Sequence, residues 1–188
     1  LNYHRKRNHA KLPTNHLESD FNSEDYAKYT TTTDLKPFLR YDNKSDGNRI
    51  IIFMSNEGLE WLCQAERMHC DGTFDSAPKM FYQLYLLHGF RGNTMHTCAY
   101  IILQRKTEQI YREMVDKLNL IAKDNAMQLN PDLIMSDFEL AAQNAFKYHY
   151  PRVQIKGCYF HYQQALYRWL DKHGKKYIVL NQVKCNNP

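Results

Sequence analysis

With 188 residues, 43% hydrophobic and 24% charged, the chain has the balance of a globular protein and suits one compact domain plus a tail, which excludes a chain too polar to collapse. No stretch approaches the roughly 20 consecutive apolar residues of a membrane helix, and Leu1 to Lys11 has no apolar run to serve as a secretion signal, so the expectation is a soluble, intracellular protein without a membrane partner. The net charge of +5 is uneven: Leu1–His16 carries +4 and Lys147–Pro188 carries +7, leaving −6 in the middle, an arrangement that suits a polyanion held by basic flanks around cation-binding carboxylates and equally suits solvated charged faces.

Residues 1–41 are polar, contain Pro13, Pro37 and the run Thr30-Thr31-Thr32-Thr33, and read as a linker arm. Residues 42–66 read as a hairpin and short helix leading into the core. The apolar runs Phe38–Tyr41 and Ile50–Phe53 predict two short strands joined by a turn at Asp42–Asn48, and Asn56–Ala65 predicts a helix. The core, 67–174, opens with three strands, Met68–Phe74, Phe81–Phe90 and Met95–Leu103. Gly89 and Gly92-Asn93 supply the turn chemistry that makes the last two an antiparallel hairpin. Near-continuous apolarity in both predicts cover on both sheet faces, supplied by helices.

Thr107 is placed to cap a helix in which Ile110, Tyr111, Met114, Val115, Leu118, Ile121 and Ala122 recur at three- and four-residue spacing. After Pro131, Asp132–Met135 reads as a buried strand, and Ser136-Asp137-Phe138-Glu139 has the spacing of a capping box opening a helix to about Tyr148. Pro151 ends that helix, Val153–Tyr159 predicts a last strand, and Tyr162, Ala165, Leu166, Trp169 and Leu170 mark a helix closed by Gly174. The core order is β-β-β-α-β-α-β-α, an α/β fold. A start at Leu1 and an end at Pro188 suggest a piece of a longer chain.

Asp71 stands inside an apolar strand, where an ionised carboxylate is costly without a compensating cation. Asp137 stands where a strand hands over to a helix, the position at which α/β sheets gather ligand groups. Should the two strands be neighbours, the carboxylates converge and suit a hard cation such as Mg²⁺, able to activate water for phosphoryl transfer. A turn at Asp71-Gly72-Thr73 and a helix-dipole role for Asp137 fit the same residues. Glu139 reads as the reciprocal half of the capping box, and Asp75 and Asp132 as structural.

Cys63, Cys70, Cys98, Cys158 and Cys185 form an odd set without close Cys-x-x-Cys pairing, which argues against a disulfide framework. Cys158-x-x-His161 is half of a zinc site and needs two more ligands, for which His149, His173 and Cys185 are the available residues. A buried Cys158 with His161 hydrogen-bonded to the sheet fits equally well. Tyr148, Tyr150, Tyr159, Phe160, Tyr162, Tyr167 and Trp169 are interleaved with Lys147, Arg152, Lys156 and Arg168, a mixture able to stack bases and bind phosphates. At helical spacing, Tyr162 and Trp169 read as core.

Taken together, Asp71-Gly72-Thr73-Phe74, Pro78 with Phe81–Tyr85, His88-Gly89, Lys106-Thr107 and Tyr111, then Ser136–Glu139 with Ala141 and Asn144-Ala145, and Gly157–His161 with Gln164-Ala165 and Arg168, resemble the catalytic domain of Mutator-like (MULE) transposases over about Phe38 to Gly174. The resemblance implies an RNase H-like mixed sheet with helices on both faces, broken off before the last catalytic helix. It implies a DDE triad that uses Mg²⁺ or Mn²⁺ in a two-metal site to cut and join DNA strands, with Asp71 and Asp137 as its two aspartates and metal ligands. The third ligand would be a glutamate beyond an inserted region beginning at 175–188; no glutamate follows Glu139, so this piece alone would be inactive. Cys158 and His161 match the family's C-x-x-H element, and Lys147, Arg152, Lys156, Arg168, Lys175 and Lys176 are the candidate DNA contacts. The implied partners are transposon-end and target DNA and further copies of the parent chain, and the implied compartment is the nucleus. A domesticated, non-catalytic DNA- or protein-binding module is the alternative.

Overall fold

The computed structural model describes residues 20–21, 24–74 and 76–174. The basic arm Arg5-Lys6-Arg7, Asp75, Lys175, Lys176 and Cys185 lie outside the described residues. Along the chain run α1 (Glu24–Ala27), β1 (Leu39–Asp42), β2 (Ile50–Phe53), α2 (Asn56–Cys63), β3 (Arg67–Thr73), β4 (Gln83–Arg91), β5 (Thr94–Leu103), α3 (Glu108–Asp124), β6 (Leu133–Ser136), α4 (Leu140–His149), β7 (Gln154–Gly157) and α5 (Tyr159–Lys172). From β3 onward the predicted β-β-β-α-β-α-β-α order holds. The seven strands form one mixed sheet in the order β1-β2-β5-β4-β3-β6-β7, with β3, β6 and β7 parallel to one another and every other pairing antiparallel.

Local chemistry accounts for most boundaries. The turn between β4 and β5 falls at Gly92, whose φ of +55° lies in the left-handed region that glycine enters without steric cost. The Thr107 hydroxyl accepts from the Ile110 N–H and starts α3, which buries all seven residues of the predicted stripe. Arg49 and Asp42 close the β1–β2 hairpin with a buried two-point ion pair at 2.9 and 2.7 Å.

The main core lies between one sheet face and α2, α3 and α4, around Tyr85, Leu87, Ile101, Tyr111, Leu118, Ile134 and Phe146. Each such apolar side chain contributes roughly 1.5–3 kcal/mol through burial. Among the described residues, the opposite face carries less of the helical cover expected on both sides. There a smaller cluster forms, in which Phe21, Phe38, Met80 and Phe81 pack on Ile51, Phe53 and Ile102. Tyr100 stays 41% exposed, and β4 alternates between buried and half-buried residues. The three helices that connect or follow strands near β4, β5 and β6 all fall on the same side, and α5 buries none of its residues. Tyr162 and Trp169, expected in the core, are therefore 53% and 49% exposed.

The capping box also fails. Ser136 is the buried last residue of β6, and α4 begins only at Leu140, with Glu139 at the N-cap position and no side-chain cap bond. The Ser136 hydroxyl donates instead to the Asp137 carbonyl (2.9 Å), and Gln143 Nε2 donates to that carbonyl as well (2.9 Å). The four described cysteines, Cys63, Cys70, Cys98 and Cys158, are free. No described helix is long and apolar enough to cross a membrane.

Candidate active site

Asp71 and Asp137 meet because of strand register. Parallel β3 and β6 pair Met68 with Ile134, His69 with Met135 and Cys70 with Ser136, so the next position on each carries an aspartate. Adjacent strands lie about 4.8 Å apart. On the far side of β6, Ser136 pairs with Gly157, and the Cys158 N–H donates to the Ser136 carbonyl (2.7 Å). Asp71, Asp137 and Cys158 thus form one row at the carboxyl ends of three parallel strands. Cys158 is the N-cap residue of α5, and the first turn of that helix returns His161 to the row, its Nε2 3.5 Å from Asp71 Oδ1. His161 Nδ1 is buried without a hydrogen-bond partner.

The surroundings of Asp137 set its charge. Burial raises its pKa; the Glu139 N–H donating to its Oδ1 (3.3 Å) and the neighbouring His161 lower it, and Asp71 raises it again. The net direction is upward. Glu139, read from sequence as part of a capping box, belongs to this pocket. Its Oε2 accepts from the Tyr111 hydroxyl (2.8 Å), which itself accepts from the fully buried Gln83 amide. Burial raises the Glu139 pKa as well, with Asp137 adding to the shift against the Tyr111 bond and Lys106. Gly72 leaves room for this chain: a Cβ there would stand 2.9 Å from Gln83 Oε1.

Lys106, between β5 and α3, supplies positive charge at the mouth. Its pKa is raised first by the Tyr82 hydroxyl, with Glu139 and Asp137 contributing. Its ammonium stands 5.5 Å from the ring centroid of Phe74 and 5.0 Å from that of Tyr82. His88 sits farther along the same sheet face and within reach of Asp71. Burial lowers its pKa while Asp71 raises it, and its Nδ1 lies 3.0 Å from the Thr97 hydroxyl.

Of the residues singled out by sequence, the structure brings Asp71, Asp137 and His161 together, with Cys158 beside them in the row. Among the described residues, no three or more His, Cys, Asp or Glu side chains are gathered closely enough to hold a metal ion by themselves. His149 lies at the C-terminal end of α4, away from this edge, and His173 stacks on Trp169 (4.3 Å), so neither completes a zinc site with Cys158 and His161. Lys147, in the last turn of α4, and Arg152, before β7, sit at the opposite end of the parallel strands from the carboxylates. Lys156 and Arg168 are exposed on β7 and α5. Sequence reasoning missed Glu139, Lys106, Phe74 and Tyr82 as parts of the site. The only signal for them was their place inside the blocks that carry the family resemblance.

A mixed α/β sheet that presents two aspartates side by side at the carboxyl ends of adjacent parallel strands defines a class of domains built around an acidic pocket. The family model described as MULE transposase domain matches residues 67–165, more than half of the chain, and the chain belongs to that family. Among curated proteins, none matches the chain.

Proposed function

We propose that this domain is the two-aspartate part of an RNase H-like, DDE-type transposase core that cleaves and transfers DNA strands, completed in the intact parent by a third acidic residue. The observation that carries the reading is the register that sets Asp71 beside Asp137, with His161 against them. The β-β-β-α-β-α-β-α order and the switch from antiparallel to parallel pairing at β3 support the RNase H-like fold. Transposon ends and target DNA are the proposed substrates, assembly into homo-oligomers the proposed state of the parent, and the nucleus the proposed compartment.

The MULE transposase family is generally metal-dependent, and the donor set here fits a hard divalent cation, Mg²⁺ or Mn²⁺: two oxygen ligands side by side, with burial and the neighbouring Asp71 both opposing ionisation of Asp137. Asp71 and Asp137 are the residues that would hold it. When bound, the ion supplies Lewis-acid activation of water and of the scissile phosphate. The chain's own groups prepare that chemistry. The Glu139 N–H fixes one oxygen of Asp137 and Gln143 ties down its carbonyl, so the carboxylate keeps its aim. His161 flanks Asp71, its Nε2 3.5 Å from the Oδ1 of that carboxylate, and Lys106 offsets the negative field that a phosphodiester must enter.

The test has two parts. Mn²⁺ binding to the 188-residue chain, followed by paramagnetic resonance, should be lost in Asp71→Ala and in Asp137→Ala. Strand cleavage of transposon-end DNA by the intact parent should fall to background in both variants. Full cleavage by Asp71→Ala rejects the assignment. A second reading is a domesticated module that binds DNA or protein without chemistry. That reading expects salt-sensitive DNA binding through Lys147, Arg152, Lys156, Arg168, Lys175 and Lys176, and no metal-stimulated cleavage.

A further inference from the structure

Phe74 and Tyr82 form an edge-to-face pair, centroids 5.4 Å apart at 85°, beside the acidic pocket. Phe74 directly follows β3, three residues past Asp71, and Tyr82 directly precedes β4. Neither ring belongs to either core cluster, and they are 50% and 44% exposed. Both rings stand half in water, packed on one another and on Lys106, with a face left open to solvent. Lys106 joins the two rings to the pocket, standing within about 5–6 Å of both centroids, in the range of cation–π attraction, and coupled electrostatically to Asp137 and Glu139.

Resting on the proposed DNA-processing role, we infer that Phe74, Tyr82 and Lys106 form a clamp for an unstacked nucleotide next to the scissile phosphate, the rings taking the base and the ammonium the phosphate. A base offers its π-face to a protein ring only after leaving its neighbours in the duplex, so the clamp selects a strand that is single or splayed at that point. Stacking on a ring is tolerant of base identity, so the clamp recognises strand state rather than sequence. Lys106 also carries the phosphate past the negative field of the two aspartates.

The experiment measures binding of the 188-residue chain to a short single-stranded oligonucleotide carrying 2-aminopurine, by anisotropy and by fluorescence quenching, against the matching blunt duplex. Phe74→Leu and Tyr82→Leu keep an apolar side chain but remove the ring; each should weaken single-strand binding about ten-fold and reduce the quenching, with duplex binding little changed. Lys106→Gln should lower the slope of log affinity against log salt by about 0.7 on the single strand. Tyr29→Leu, which removes a 41%-exposed ring just after α1, should leave binding as in wild type, and thermal melts should show all variants folded. Single-strand binding that survives the loss of either ring overturns the clamp, as does an equal loss on single strand and duplex. Failure of the wild-type chain to bind any DNA would instead bring down the DNA-processing reading itself, and the clamp with it.

Discussion

Asp137 carries a charge that its own pocket opposes. Its folded pKa lies above the ordinary 3.8, with burial as the leading cause. A carboxyl raised in this way favours the folded state only when protonated: the contribution is present below the ordinary value and is lost as pH rises through the folded one. Asp137→Asn should therefore stabilise the chain at pH 7 by about 1 kcal/mol, a gain that shrinks to nothing as the pH falls to about 3, while abolishing metal binding. Urea unfolding at the two pH values checks this; a less stable Asp137→Asn at pH 7 would mean that the bond from the Glu139 N–H outweighs burial. Asp71 and Asp137 stood out in the sequence because a carboxylate within an apolar strand, or at a strand-to-helix junction, calls for a compensating charge. Glu139 did not stand out, since S-x-x-E spacing serves a helix cap equally well. Only the buried Tyr111 hydroxyl, 28 residues away, claims its carboxylate.

At the level of elements, two contacts hold the frame around the site. Helix α2 lies so close to β5 that a Cβ on Gly58 would stand 2.6 Å from the Cys98 carbonyl oxygen, a backbone atom that cannot step aside. Gly58→Ala should cost about 1–3 kcal/mol by denaturant unfolding, and a neutral result would show that α2 is free to shift. The Asp42–Arg49 pair, with side chains 6% and 3% exposed, locks the β1–β2 hairpin onto the edge of the sheet. Asp42→Ala leaves a buried guanidinium without its carboxylate and should cost roughly 3–5 kcal/mol; a loss below about 1 kcal/mol would mean water reaches Arg49. The strands and α3 were readable because period and turn chemistry are local properties. The start of α4 was not, because Ser136 is claimed by strand pairing and by Gln143 before it can cap anything.

Across the described residues, the helices α2, α3 and α4 cover one sheet face, while on α5 the side chains of Tyr159, Phe160, Tyr162, Tyr167 and Trp169 are exposed. The chain has two tryptophans. Trp61 donates its Nε1–H to the Gly89 carbonyl (2.9 Å), meets His96 edge-to-face (4.2 Å) and carries the Arg91 guanidinium over its ring. Acrylamide should thus quench Trp169 in a Trp61→Phe variant far more readily than Trp61 in a Trp169→Phe variant. Equal protection would show that a second copy or another segment covers α5. An apolar stripe at helical spacing states only that a helix has one greasy side, and the α5 stripe looks in sequence just like that of α3. Sequence alone determined the α/β class, the order of the core elements and the family, and it singled out the two aspartates, because periodicity, turn residues and motif blocks are written in neighbouring positions. Tertiary structure alone decided which stripe is buried, which carboxylates share the pocket and what stands at its mouth, because strand register and the side of the sheet on which each helix lands are set by contacts between residues far apart in the chain.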